Sequence, residues 1–142
     1  MKKIFAISIL VFALLMGAAW WSKTLQRNDA NIISTNGIHW HPKLAIYVKG
    51  EKLEIPANIG IGTVHLPVHT HEDITSDIIH LEFGSMVRKQ DILLKEFFKS
   101  WNKDINSFGS TVKMTVNGEE NTEFENYLIQ EGDKIEIRYK TI

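Results

Sequence analysis

All six histidines of the chain lie between His39 and His80, and four of them form two His-x-His pairs, His39-Trp40-His41 and His69-Thr70-His71. His65 and His80 flank the second pair. In an extended strand, side chains two apart point to the same face. Each pair therefore presents two imidazoles from one rigid element, as a transition metal requires. Neutral imidazoles suit Cu(II) and Zn(II), with Cu(II) the tighter binder in general. The spacing makes His69, His71 and His80 the main ligand set, with His39 and His41 completing it or forming a second site. Glu82 shares a side with His80 and is suited to fix an imidazole tautomer from behind. An imidazole must be neutral to bind a metal, so affinity is expected to fall below about pH 6.

The elements that must carry these residues follow from the apolar pattern. Over residues 64–71, Val64, Leu66 and Val68 alternate with His65, Pro67, His69 and His71. Over residues 78–83, Ile79, Leu81 and Phe83 share one face, and His80 and Glu82 the other. Between His39 and Lys49 the apolar face reads Trp40, Leu44, Ile46 and Val48, with His39, His41 and Lys43 opposite. All six histidines are thus expected to point away from the core, where substitutions cost under ~0.5 kcal/mol of stability. Packed structural histidines conflict with this pattern, and pH sensing is the non-metal alternative. The strand carrying His39 and His41 is expected beside residues 64–71, so that both pairs share one site.

The rest of the chain supplies a scaffold. Residues 43–48 and 52–55 predict a hairpin around Lys49-Gly50-Glu51. Pro67 gives residues 64–71 an edge position or a bulge, and residues 72–77 are a polar turn. Asp91 can cap a helix over residues 92–102, whose stripe of Leu94, Phe97, Phe98 and Trp101 is core packing. Residues 111–116 read as a strand ending at the tight turn Asn117-Gly118. A short strand is expected near residues 122–124, and a last one over residues 135–139 after the turn Glu131-Gly132-Asp133. This order indicates an α+β domain, a mostly antiparallel sheet with one packed helix.

The N-terminus reads Met1-Lys2-Lys3, then an apolar run from Ile4 to Trp21 broken only by Ser8 and Gly17. A positive end before an apolar run is an export signal. The run is long for a cleaved signal, and Trp20 and Trp21 suit a membrane interface. Residues 1–21 are therefore read as an anchor or signal, 22–37 as a polar linker, and 38–142 as a domain outside the cytoplasm. Residues 1–27 hold four of the 16 basic residues and no acidic one, so the remainder has 12 basic against 17 acidic, a net charge of −5. That balance disfavours nucleic acid as a partner. There is no phosphate-binding or dinucleotide fingerprint. The absence of cysteine excludes disulfides, thiolate metal sites and cysteine nucleophiles, and leaves Cu(I) poorly served.

His39-Trp40-His41-Pro42-Lys43-Leu44, Ile55-Pro56-Ala57-Asn58-Ile59-Gly60, His69-Thr70-His71 and Ile78-Ile79-His80-Leu81-Glu82 together resemble a family of small exported or membrane-anchored proteins of archaea and bacteria. Met114-Thr115-Val116-Asn117-Gly118, residues 121–127 and Gly132-Asp133-Lys134-Ile135 extend the likeness over about residues 38–140. The resemblance implies export and supports the histidine motifs, but supplies no activity. The C-terminal strands also resemble β-grasp domains. Multicopper oxidases share repeated His-x-His but need a cysteine, and the cupin glutamate is misplaced after His71. Three functions compete. One is a metal carrier, a buffer, or a donor to an exported metalloenzyme. Another is a zinc enzyme using His69, His71 and His80 with an open fourth position. The third is a surface or filament subunit bridged by histidines.

Overall fold

A computed structural model describes residues 2–27, 29–72 and 77–140. Helix α1 spans Lys2–Arg27. Within it, Ile7–Leu25 is long and apolar enough to cross a membrane. A signal sequence has the same features, so the helix is compatible with an anchor or an export signal.

The strands are β1 (Ile32–Ser34), β2 (Ile38–Trp40), β3 (Lys43–Val48), β4 (Glu51–Leu53), β5 (Val68–His69), β6 (His80–Phe83), β7 (Val87–Arg88), β8 (Ser110–Val116), β9 (Glu119–Asn121) and β10 (Lys134–Lys140). Helix α2 (Leu94–Ser100) lies between β7 and β8. Among the described residues these strands form three sheets: β1-β7, β2-β6-β5 and β4-β3-β10-β8-β9. The architecture is the expected α+β, largely antiparallel with one packed helix.

The five-stranded sheet is the foundation. Its first and last strands, β3 and β10, lie side by side and parallel at its centre, flanked by the antiparallel partners β4 and β8. A parallel pair needs a long crossover, and here that crossover contains β4–β9 and α2. Leu44, Ile46, Met114, Ile135 and Ile137 are completely or almost completely buried, in one cluster with Phe97 and Phe98 of α2 and with Val68, Ile79 and Leu81. Each such side chain contributes about 1.5–3 kcal/mol by leaving water.

Several expected boundaries move. Residues 22–37 are not all linker, because α1 continues to Arg27 and β1 pairs with β7. The helix begins later than expected, with Leu93 as its N-cap. Asp91 instead accepts a hydrogen bond from the Arg88 N–H (2.8 Å), holding the preceding 3-10 turn. The short strand after Asn117-Gly118 is Glu119–Asn121. Both turn residues have positive φ, 55° and 88°, so the chain reverses in two residues and pairing starts at once. Of the polar turn expected at residues 72–77, residues 73–76 lie outside the described residues.

The largest change concerns residues 64–71. Only Val68–His69 is a strand, while Val64 and Leu66 are 72% and 40% exposed. The Leu66 N–H donates to the Gly60 carbonyl (2.9 Å) rather than to a ladder, and the Pro67 carbonyl accepts from the Glu82 N–H (2.8 Å). Proline has no N–H to continue the pairing in the other direction.

Candidate metal centre

The centre is built on the three-stranded sheet, with β6 in the middle. Alternation along β6 puts Leu81 on one face, fully buried, and His80 and Glu82 on the other. On one flank, His39 of β2 lies opposite Glu82, and Trp40 opposite Leu81. The isolated bridge Lys43↔Ile78 continues that antiparallel register, which carries His41 across from His80. On the other flank, His69 of β5 lies opposite His80, and Val68 opposite Leu81. His41, His80 and His69 therefore form one row across three strands, with His39 and Glu82 in the next row.

The ring geometry follows the register. Centroids are 4.6 Å apart for His39–His41, 4.9 Å for His41–His80, 5.4 Å for His69–His80 and 4.6 Å for both His69–His71 and His71–His80. His65 extends the cluster, 4.3 Å from His69 and 5.7 Å from His71. All six histidines are assembled in one place. His65 and Glu82 stand outside the ligands inferred from spacing. The even spacing of His65 from His69 and His71 was the available signal for the first, and the shared face with His80 for the second.

Among the described residues, two groups of donors are close enough to hold an ion. His69, His71, His80 and Glu82 each offer an atom within 4.8 Å of the others, and so do His39, His41 and His80. Tetrahedral zinc with bonds of ~2.0–2.2 Å needs donors about 3.3–3.6 Å apart, so an ion held here would draw the side chains inward slightly. The strand of His39 and His41 is expected directly beside residues 64–71, but β6 stands between β2 and β5. Both pairs reach His80, and the two groups share that residue alone.

Burial also departs from expectation. His69 is 1% exposed and His80 9%. Their side chains do lie opposite Val68 and Leu81, but the face they occupy is itself covered by neighbouring imidazoles. His39 and His41 are more open, with side chains 62% and 41% exposed.

Local hydrogen bonds orient the candidate ligands. The His69 Nδ1–H donates to the Leu66 carbonyl (2.9 Å), which can only accept. In the neutral ring this leaves the Nε2 lone pair free. His69 Nε2 lies 3.0 Å from His71 Nε2, which then supplies the proton of that bond. Burial lowers the His69 pKa, as do the neighbouring His65 and His71, while the Leu66 hydrogen bond works in the opposite direction. The neutral form of His69, the one able to ligate a metal, is thereby favoured.

Thr70, between the paired histidines, is the anchor. Its hydroxyl donates to the Pro56 carbonyl (2.9 Å) and accepts from the Ile59 N–H (3.0 Å). Its backbone N–H bonds the Ile59 carbonyl and its carbonyl the Asn58 N–H. Gly60, with φ +72°, completes this loop, and a Cβ there would sit 2.8 Å from the Val68 carbonyl oxygen and 3.3 Å from the His69 Cβ. On the opposite flank, the His41 backbone N–H donates to Glu131 Oε2 (2.7 Å), and His39 Nε2 contacts Glu82 Oε1 (2.9 Å). No family model, curated protein or solved structure matches the chain.

Proposed function

We propose that this protein binds Cu(II) or Zn(II) outside the cytoplasm and carries, buffers or delivers the ion to an exported metalloenzyme. The observation that carries this reading is the convergence of His69, His71, His80 and Glu82, with donor atoms within 4.8 Å of one another. Three imidazoles and a carboxylate satisfy four-coordinate zinc and equally suit tetragonal copper. Helix α1 supports attachment to a membrane, or export through it. The paired motifs support kinship with small exported His-x-His proteins, and the β4-β3-β10-β8-β9 order supports a β-grasp-like scaffold.

A zinc enzyme is the second reading, favoured by the carboxylate of Glu82 lying 3.9 Å from His80 Nδ1. A catalytic zinc keeps a coordination position open, whereas a structural one is closed by four protein ligands. Here a fourth donor stands beside the three histidines, which favours holding the ion over activating water. Calorimetric titration of the full chain in detergent at pH 7.5 tests the proposal. Saturable binding of Cu(II) or Zn(II) is expected, and an absence of binding heat for both would refute it.

A further inference from the structure

The histidine cluster has an outside and an inside. His39 and His41 are the open end, His69 is sealed from solvent, and His80 stands between them, its side chain 11% exposed. The outer group His39, His41, His80 and the inner group His69, His71, His80, Glu82 share only His80. A neutral imidazole has one unprotonated nitrogen and so one lone pair for a metal. His80 can therefore serve one ion at a time.

We propose that the outer group is a landing position from which an ion passes to the inner one, with His80 retained as a ligand throughout. This rests on the metal-binding function proposed above. The transfer is a ligand exchange without redox change. The imidazoles of His39 and His41 leave the ion as those of His69 and His71 bind, and its oxidation state is constant. Glu82 links the two positions. Its Oε1 contacts His39 Nε2 at 2.9 Å, and its carboxylate also offers an oxygen to the inner group. It gives up the His39 contact as it joins the ion. Every step between neighbouring rings on the path from His39 through His41 and His80 to His71 is under 5 Å, so the ion is never without a donor. Glu82 also contributes negative charge at the mouth, which raises the local concentration of a cation.

The test uses Cu(II) and the full chain in detergent, with equilibrium titration and stopped-flow loading. The wild type should take up one Cu(II) per chain. The double variant His39→Ala/His41→Ala should load about tenfold or more slowly, while its Kd weakens by no more than about threefold. His71→Ala, at a half-buried position, should load at close to the wild-type rate but hold the ion about 10–100-fold more weakly. Wild-type loading speed in the double variant would overturn the relay. So would a loss of about 100-fold in its Kd, the mark of a single shared centre, or two Cu(II) bound per chain at once. Failure of the wild type to bind Cu(II) at all would instead remove the metal-binding function itself, and the relay with it.

Discussion

His69 and His80 face each other across the β5–β6 ladder with their rings stacked, 5.4 Å between centroids and 11° between planes. Two buried imidazoles in this relation are held by backbone pairing, not by each other. The ladder fixes their spacing before any ion arrives, so little ordering remains to be done on binding.

Substitution at this pair should affect both binding and folding. His69→Ala removes an inner ligand and leaves the Leu66 carbonyl without its donor. The expected cost is about 1–3 kcal/mol in the metal-free protein, beyond the ~0.5 kcal/mol of an exposed position. Urea unfolding of metal-free wild type and variant measures it, and a difference below the smaller figure would place His69 outside the packed interior.

The pH dependence of stability has a definite sign. Burial holds the folded His69 pKa below its ordinary 6.5, so the unfolded chain binds the proton more readily. The stabilising contribution is complete above pH 6.5 and is lost as pH falls through the lower folded value. The metal-free protein should unfold at lower urea concentration at pH 5.5 than at pH 7.5, and by a smaller margin in His69→Ala. Equal margins in the two proteins would assign the effect elsewhere.

Gly60→Ala should disturb the inner group from beneath. The added Cβ meets the Val68 carbonyl oxygen at 2.8 Å, and the left-handed backbone alone costs about 1–2 kcal/mol for an L side chain. Weaker metal binding together with a lower melting temperature is expected. An unchanged Kd would mean that the loop yields without moving β5.

Asp133 provides a control remote from the histidine cluster. Its buried carboxylate accepts hydrogen bonds from the Tyr127 hydroxyl (2.8 Å), Asn117 Nδ2 (2.9 Å) and the Gln130 N–H (2.8 Å). It also raises the Tyr127 pKa, second to burial itself. Asp133→Ala strands these donors and should destabilise the fold by about 1–3 kcal/mol or more, with metal stoichiometry unchanged in the folded fraction.

Much of the site was legible in the sequence because strand periodicity is local. The pattern Ile79, Leu81, Phe83 placed His80 and Glu82 together on the opposite side, and the fold keeps them there. The same logic failed over residues 64–67, where alternation imitated a strand but Pro67 and the Gly60 contact to Leu66 made a loop. Periodicity also reports only which way a side chain points, not whether that face is covered. His69 and His80 are buried because His41, His65 and His71 converge on them, a tertiary outcome. Nor does the sequence specify that β6 lies between β2 and β5. That order follows from the β3 crossover and from the Ile79 N–H bonding the Pro42 carbonyl (3.0 Å), which draws His41 toward His80.

The most direct measurement is the metal content of the full chain, purified in detergent, equilibrated with Cu(II) or Zn(II) at pH 7.5 and freed of loose ions by desalting. Elemental analysis should find one ion per wild-type chain and a clear loss in the variant His71→Ala/His80→Ala, with circular dichroism confirming that the variant is folded. A wild-type chain that retains no metal, or a folded double variant that retains as much as the wild type, would contradict the assignment of this histidine cluster as a metal centre.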